Sequence, residues 1–312
     1  MERFFLNASA AMKPVFWSGL ILATLLVATG SARAETFDHC GFTANNPDTF
    51  SEREFTVQTP DGRIQGTLAV PDNGKPKALA LMLHGFRGAR NENGGMFRRT
   101  AHAFAGFGIA SLRIDFIGSG KSDGEWADTR FSTQARDAMR AADALKDAFD
   151  GALPVSVLGY SQGGLVALRT SAAKEIFNRI AIWAPALDPI ATYSIIFGEE
   201  TILNAARAHR EEGTNDVVEG KRLRSGYFAE LAEADPIAEA SKVKSPLLIV
   251  TGERDPLVKQ GDRLAKEAAS KRSGMTELLH VNGGHDFGAL REPPLLAHVV
   301  ACTAKFLISE GS

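Results

Sequence analysis

The sequence predicts an α/β fold in which a mostly parallel central sheet carries an antiparallel hairpin at its N-terminal edge and an inserted cap. Apolar segments of strand length recur along the chain, helical patterns alternate with them, and most of these segments are apolar throughout. Continuous apolar runs are typical of strands that helices cover on both faces, as in a parallel sheet. With 312 residues, 44% of them hydrophobic, the chain is long enough to bury such a core.

The predicted strands follow one another with helical patterns between them. The first two strands flank Asp61-Gly62, a dipeptide that favours a hairpin turn. In chain order the strands are REFTVQT, RIQGTLAV, ALALMLH (78–84), IASLRI (109–114), PVSVLGY (154–160), RIAIWA (179–184), PLLIVTG (246–252) and TELLHV (276–281). Strand and helix in repeated alternation indicate an open α/β sheet.

Residues 186–241 are too long for a simple connection between RIAIWA and PLLIVTG. They contain aromatic residues and a charged stretch, AHREEGTNDVVEGKR, but no clean strand pattern. Structureless loops of this length are uncommon in compact domains, so we expect an inserted cap with short elements of its own. Ligands bind at the carboxyl ends of the strands in open α/β sheets, which is where we expect the cap to lie.

The first 34 residues have the order of a secretory signal peptide. Arg3 and Lys13 precede an apolar run, and the small residues Ala32 and Ala34 stand before Glu35. The run is shorter than the roughly 20 residues that span a bilayer, which favours a cleaved signal over the alternative, an uncleaved anchor. We expect residues 35–312 to be exported, to the periplasm or the medium, without stable membrane association.

The net charge limits the classes of partner, and the two cysteines bear on the compartment in which the protein folds. The formal net charge is -2 without a basic run or stripe, so we expect no nucleic acid partner. The two cysteines are Cys40 and Cys302; in an oxidising compartment they are a candidate disulfide, and two buried free thiols are the alternative. The cysteine spacing and the lack of an H-E-x-x-H motif argue against a zinc site, and we expect no cofactor. The oligomeric state stays open.

Two stretches match G-x-S-x-G, the motif that presents a serine nucleophile: GKSDG (120–124) and GYSQG (159–163). The motif requires a strand, a sharp turn at the serine and a helix directly after it. Ser161 has all three, since PVSVLGY precedes it and LVALRTSAAKEI follows, whereas the polar stretch DGEWADT follows Ser122. Gly120-Lys121-Ser122 also matches the end of a P-loop, but Asp115 stands where that motif needs a glycine. Ser161 is therefore the predicted nucleophile.

A serine nucleophile needs a base that a third group orients. Of seven histidines, His285 lies in NGGHDF directly after the last predicted strand, and Asp255 lies in TGERDPLV after the strand before it. The order Ser161, Asp255, His285 matches the chain order of α/β-hydrolases. A helix cap and a turn histidine are the alternative roles for Asp255 and His285. For the developing oxyanion we expect the backbone N–H groups of Gln162 and of Phe86, which lies in HGF after the strand ALALMLH.

With these motifs, residues 53–309 resemble the α/β-hydrolase superfamily. Within it the chain is similar to bacterial cinnamoyl and feruloyl esterases and to the related serine-aminopeptidase-like hydrolases. The segments that carry the resemblance are HGF, DFIGSGKSDG, GYSQGG, APA, GERD and GGHDF. The resemblance implies an α/β-hydrolase fold, and it implies that the loop containing Asp115, Gly118, Gly120 and Ser122 forms a rigid wall near the active site.

The sequence thus predicts a serine hydrolase that cleaves small-molecule carboxylesters through an acyl-enzyme. A thioesterase, peptidase or acyltransferase with the same triad, and a noncatalytic hydrolase-like binding protein, remain alternatives. Because a triad and an oxyanion hole treat acyl groups alike, we expect the cap to select the substrate. Tyr193 and Tyr227 would form its walls and Asp188 would accept a hydrogen bond from a substrate hydroxyl, which favours an aromatic or medium-chain acyl group.

Overall fold

The central sheet contains the eight predicted strands in a computed structural model, which describes Cys40 and residues 50–72 and 75–309. The strands are β1 (Phe50–Thr59), β2 (Gly62–Pro71), β3 (Ala78–Leu83), β4 (Ile109–Ile114), β5 (Val155–Tyr160), β6 (Ile180–Trp183), β7 (Leu247–Gly252) and β8 (Thr276–Val281). Their order across the sheet is β1-β2-β4-β3-β5-β6-β7-β8. The pairs β1–β2 and β2–β4 are antiparallel and the others are parallel, so the predicted fold is confirmed. The predicted signal peptide lies outside the described residues.

The β1–β2 hairpin turns one residue earlier than the Asp-Gly dipeptide suggested. Thr59 pairs with Gly62, which leaves Pro60 and Asp61 as the turn residues. The ring of proline sets the backbone angle that the first central position of a turn requires, so Pro60 explains the shift. Gly62 instead begins β2.

Helices cover both faces of the sheet. They are α1 (Met96–Gly106), α2 (Phe131–Asp147), α3 (Gln162–Ala173), α4 (Pro189–Phe197), α5 (Glu199–Glu211), α6 (Ser225–Glu233), α7 (Pro236–Lys242), α8 (Gly261–Ser270) and α9 (Pro293–Ile308). Leu79, Leu81 and Leu83 of β3 belong to one hydrophobic cluster together with side chains of α2, α3 and α8, whereas Ala80 and Met82 belong to a second cluster with side chains of α1 and α9. Because successive side chains of a strand point to opposite faces, a strand buried on both faces needs a continuous apolar run.

The helices α4 to α7 and their connections lie between β6 and β7, and we refer to these residues, 184–246, as the insertion. Two of its helices start at an Asp-Pro pair, because the aspartate side chain caps the helix while proline suits its first turn. Asp188 accepts a hydrogen bond from Ala191 N at 3.0 Å, and Asp235 accepts one from Ala238 N at 2.9 Å. In the described part of the chain, no helix combines the length and the apolar character needed to cross a bilayer.

A disulfide joins Cys40 to Cys302 on α9, so the predicted pair is confirmed and the alternative of two free thiols is excluded. The two Cα atoms lie 5.3 Å apart, although 262 positions separate the residues in the sequence. Lys305 also donates a hydrogen bond from Nζ to the backbone oxygen of Cys40 at 2.9 Å. The disulfide and this hydrogen bond therefore connect Cys40 to the last helix.

Candidate active site

Ser161 occupies a strained turn between β5 and α3. Its backbone φ of 52° and ψ of -115° lie in a region that a residue with a Cβ rarely adopts. The turn brings the start of α3 so close to β3 that a Cβ at Gly163 would lie 2.1 Å from the carbonyl oxygen of Leu83. Glycine at 163 is therefore a steric requirement, and the tight turn presents the serine hydroxyl at the carboxyl edge of the sheet.

The side chains of Ser161, His285 and Asp255 form one hydrogen-bonded chain. Nε2 of His285 lies 3.1 Å from Oγ of Ser161, and Nδ1 of His285 lies 2.7 Å from Oδ2 of Asp255. Asp255 follows β7 and His285 follows β8, so three strands bring the three residues to the same edge. This arrangement can remove a proton from the serine hydroxyl and hold it on the imidazole.

The carboxylate of Asp255 is stabilised in its ionised form. Burial acts to raise the pKa of Asp255, but the hydrogen bond and charge of His285 and the N–H groups of Val258 and Leu257 outweigh it and lower the pKa. Those two N–H groups donate to Oδ1 at 2.9 and 2.8 Å, which leaves Oδ2 to face the imidazole. An ionised carboxylate accepts a hydrogen bond from Nδ1–H, so Nε2 is left free to accept the serine proton.

His84 holds the loop after β3, and its imidazole is neutral. Burial lowers the pKa of His84 despite opposing contributions from Gly85 and nearby carboxylates. Nε2 accepts the N–H of Phe116 at 3.3 Å, so Nδ1 carries the proton and donates to the Gly85 oxygen at 2.8 Å. Because C=O and N–H point in opposite directions across a trans peptide, anchoring the Gly85 carbonyl sets the direction of the Phe86 N–H.

Glu92, which was not among the predicted site residues, links the two ends of this loop through hydrogen bonds of its carboxylate. Its Oε2 accepts the N–H of Gly85 at 2.7 Å, and its Oε1 accepts the N–H of Asn93 at 3.1 Å. The loop also passes close to the nucleophile, since a Cβ at Gly85 would lie 3.3 Å from Cβ of Ser161. Nothing in the local sequence marks Glu92, because its partner Gly85 is a backbone group seven positions away.

A cavity of about 510 Å³ lies over Ser161 and His285. The loop after β3 forms one wall and the insertion contributes another, while Tyr160 packs beside His285 with ring centroids 5.1 Å apart. The remaining lining residues are Gly85, Phe86, Arg87, Gly88, Ala89, Asn91, Glu92, Asn93, Thr192, Tyr193, Ile196 and Leu257. The cavity is large enough for a small molecule and has both apolar and polar walls.

Ser122 belongs to a supporting loop rather than to the cavity lining. Its Oγ donates to the backbone oxygen of Asp115 at 2.6 Å and accepts the N–H of Gln65 at 2.8 Å. The Asp115 carboxylate accepts hydrogen bonds from Arg90 N at 2.6 Å, Arg90 Nη1 at 2.5 Å and Lys121 N at 2.9 Å. The predicted wall residues Asp115, Gly118, Gly120 and Ser122 are not among those that line the cavity, and this loop anchors Arg90 and thereby the loop after β3.

A known protein family covers the part of the chain that contains this site. The family model described as serine aminopeptidase, S33, matches residues 74–285, which run from four positions before β3 to His285. The chain belongs to this serine aminopeptidase family. The matched residues include Ser161, Asp255 and the whole insertion, so the family resemblance extends to the carboxyl edge of the sheet.

Curated relatives of this S33 family member cover it in part. Human monoglyceride lipase is 32% identical over 102 residues, which make up 32% of this chain and 32% of the lipase. Dipeptidyl aminopeptidase BIII of Pseudoxanthomonas mexicana is 28% identical over 229 residues, or 68% of this chain and 30% of that protein. The chain thus spans about a third of the length of the curated relatives it matches.

Solved structures resemble the S33 family member over most of its length. Est1E from Butyrivibrio proteoclasticus, solved with ferulic acid bound, has a TM-score of 0.62 and 20% identity, covering 82% of this chain and all of its own. The Pyrococcus furiosus esterase Pf2001 has a TM-score of 0.63 and 19% identity, covering 83% of this chain and 92% of its own. At these identities the likeness shows a shared α/β-hydrolase fold.

The three cap residues expected to contact the substrate have other partners in this S33 family member. Asp188 is exposed and caps α4, while Tyr227 is fully buried, and neither is among the residues that line the cavity. Tyr193 does line the cavity, but its hydroxyl donates to Oε1 of Gln162 at 2.7 Å. The Tyr227 hydroxyl donates to the same oxygen at 2.8 Å. Both tyrosine hydroxyls are thus engaged within the protein.

Proposed function

We propose that the protein is a serine hydrolase that cleaves carboxylesters of small molecules, with Ser161 as nucleophile, His285 as base and Asp255 as the group that orients the base. The observation that carries the proposal is the continuous chain of hydrogen-bond distances, 3.1 Å from serine to histidine and 2.7 Å from histidine to aspartate. It is supported by the strained backbone of Ser161 and by the S33 family match.

The reaction proceeds in two half-reactions. Oγ of Ser161 attacks the ester carbonyl while its proton moves to Nε2 of His285, and the carboxylate of Asp255 stabilises the imidazolium. The tetrahedral intermediate collapses when His285 returns the proton to the leaving alcohol, which yields an acyl-enzyme. Water then gives its proton to His285, attacks the acyl group and releases the acid, and Ser161 regains its proton.

We assign the stabilisation of the negative charge that develops on the carbonyl oxygen to the backbone N–H groups of Phe86 and Gln162. Gln162 is the first residue of α3, where the helix leaves N–H groups without intrahelical partners and its dipole favours negative charge. The carbonyl anchored by His84 sets the direction of the Phe86 N–H. One such donor is worth about 3 kcal/mol of transition-state stabilisation.

The cavity supports an ester with a medium-chain or aromatic acyl group. Phe86, Tyr193, Ile196 and Leu257 supply apolar surface, whereas Arg87, Asn91, Glu92 and Asn93 supply polar groups. The names of two similar proteins agree with an ester substrate, since one is a monoglyceride lipase and the other was solved with ferulic acid bound. Cleavage of peptides is the second candidate, favoured by the dipeptidyl aminopeptidase that matches 68% of this chain.

We further propose that the protein is exported. The signal-like pattern of residues 1–34 and the disulfide between Cys40 and Cys302 support this, because structural disulfides persist in oxidising compartments. Expression of the full chain in a bacterium tests it. We expect the purified product from the periplasm or medium to begin near Glu35, and a cytoplasmic product with an intact N-terminus would contradict the proposal.

Activity-based labelling combined with a substrate panel tests the proposed chemistry. The purified protein is treated with a fluorophosphonate probe and assayed on p-nitrophenyl esters of different chain length, methyl ferulate and aminoacyl p-nitroanilides. We expect covalent labelling at Ser161 and faster hydrolysis of the esters than of the anilides. Ser161→Ala should lose both labelling and hydrolysis, and a Ser161→Ala variant that still hydrolyses esters would refute the assignment. Faster anilide hydrolysis would favour the peptidase.

A further inference from the structure

The side chain of Gln162 joins the helix that begins at the nucleophile to the insertion. Its Oε1 accepts hydrogen bonds from the hydroxyls of Tyr193 on α4 and Tyr227 on α6, at 2.7 and 2.8 Å. Its Nε2 donates to Oε1 of Gln134 on α2 at 2.8 Å. Gln162 is completely buried, so its amide cannot exchange these partners for bulk water. The residue that supplies one proposed oxyanion donor is therefore held through its side chain by two tyrosines of the insertion.

Phe86, which supplies the other proposed donor, packs against the same two tyrosines. The ring of Phe86 packs edge-to-face on Tyr193, with centroids 5.5 Å apart, and contacts Tyr227 at 6.0 Å. Phe197 of the insertion and Trp126 also pack on the Phe86 ring, each at 5.5 Å. Aromatic pairs at these distances stabilise the packing beyond the effect of buried area alone. Both proposed donor residues thus depend on the insertion for their position.

We propose that Tyr193 and Tyr227 are positioning residues for the oxyanion hole. They hold its two backbone donors, Phe86 N–H and Gln162 N–H, where the oxyanion forms when Ser161 attacks the substrate. This inference rests on the proposed function. It assigns these two insertion tyrosines to transition-state stabilisation, which every ester shares, and not to the choice of acyl group. The insertion is then a structural part of the catalytic centre as well as a wall of its cavity.

The tyrosines suit this role because they remain protonated donors. Burial raises the pKa of Tyr193 and Tyr227 above the ordinary value of 10.0, so neither hydroxyl ionises at the pH values where ester hydrolysis is measured. Two donors on one acceptor, together with the bond to Gln134, also determine the orientation of the Gln162 amide. If both hydroxyls are removed, the buried Oε1 of Gln162 loses these two donors, which is unfavourable and favours a movement of the side chain and its helix turn.

Tyrosine-to-phenylalanine substitutions test the proposal, because they delete the hydroxyls and keep the rings. Tyr193→Phe, Tyr227→Phe and the double variant are assayed for kcat and KM on p-nitrophenyl acetate, butyrate and octanoate. We expect kcat of the double variant to fall by about 10- to 100-fold on all three esters alike, less than the roughly 10²- to 10³-fold loss of a whole donor. KM should change little, and the two single variants should each lose less.

Two further measurements separate positioning from general loss of structure. An alkyl trifluoromethyl ketone forms an oxyanion when the serine adds to it, so its affinity should fall in parallel with kcat. Ser132→Ala removes a different link to the insertion, the 2.6 Å bond from Ser132 Oγ to Glu230, and should leave kcat and the ketone affinity unchanged. If the double variant does not fold, the two single variants decide the question.

The proposal is overturned if the tyrosine variants keep wild-type kcat and ketone affinity, or if they change the ranking of the esters while acetate hydrolysis is unchanged. The second outcome would make the tyrosines selectors of the acyl group. Failure of the proposed function itself is distinguishable, because the wild-type protein would then show neither ester hydrolysis nor labelling of Ser161.

Discussion

Oδ2 of Asp255 lies 2.7 Å from Nδ1 of His285, and Oδ1 of the same carboxylate accepts two backbone N–H groups. The backbone bonds fix the plane of the carboxylate and the imidazole follows it, so Asp255 decides which ring nitrogen faces the serine. The side chain of Asp255 is nearly inaccessible, at 2% exposure, while that of His285 is 15% exposed. Water therefore competes little with His285 for hydrogen bonds to the Asp255 carboxylate.

Asp255→Asn should preserve the fold and nearly abolish hydrolysis. The amide NH₂ group favours the imidazole tautomer with its proton on Nε2, which cannot accept the serine proton, and the imidazolium loses its counter-charge. We expect kcat on p-nitrophenyl butyrate to fall by about 10⁴-fold, with circular dichroism unchanged. A variant within tenfold of wild type would show that Asp255 does not orient the base.

Ser122→Ala should affect stability rather than chemistry. Ser122 Oγ links Asp115 to Gln65, and its removal leaves the N–H of Gln65 without that acceptor. We expect the free energy of unfolding to decrease by about 1–3 kcal/mol while kcat of the folded enzyme is retained. Urea unfolding and hydrolysis of p-nitrophenyl butyrate measure the two effects. Loss of kcat in a fully folded variant would require a role for Ser122 at the reacting centre.

The free energy of unfolding should decrease as the pH rises through 6, because the buried Asp137 then ionises in the folded protein. Burial raises the pKa of Asp137 from 3.8 to about 6, against the opposing N–H of Ile117 and charge of Arg140. The folded state thus binds this proton more tightly than the unfolded state, so the contribution is fully present below pH 4 and is lost as the pH rises through 6. Two units of pKa correspond to up to about 3 kcal/mol.

Asp137→Asn removes the charge and keeps a carbonyl that can accept the Ile117 N–H, now 3.0 Å from Asp137 Oδ2. At pH 7.5 we expect the variant to be more stable than wild type by about 1–3 kcal/mol in urea unfolding, and at pH 4 we expect the difference to vanish. An equal difference at both pH values would mean that the carboxyl does not titrate in this window.

Loss of the Cys40–Cys302 disulfide should destabilise the protein without removing activity. The bond closes a loop of 262 residues, and in the chain-entropy model such a bond contributes up to about 5 kcal/mol. We expect Cys40→Ser/Cys302→Ser to unfold at a clearly lower urea concentration. Neither cysteine lines the cavity, so the folded variant should keep its kcat at 25 °C. Unchanged urea midpoints would show that the bond does not contribute to stability.

The strands, the turn at Ser161 and the pairing of the two cysteines could be predicted because their causes are local or unique. A strand buried on both faces must be continuously apolar, and a serine between a strand and a helix needs small neighbours such as Gly163. With two cysteines in the chain there is one pairing to consider. The same reasoning placed Ser161, Asp255 and His285 at strand ends, and the structure brings their side chains within hydrogen-bond distance.

Only the tertiary structure decided what the polar side chains around that group contact. Tyr227 and Gln162 are 65 positions apart, and nothing in either local sequence distinguishes a hydroxyl that meets a substrate from one that meets a buried amide. Asp188 caps its own helix instead of facing the cavity. Apolar burial follows from sequence pattern because it is non-directional, whereas a hydrogen bond depends on the direction and distance of two particular atoms, which only the packed fold determines.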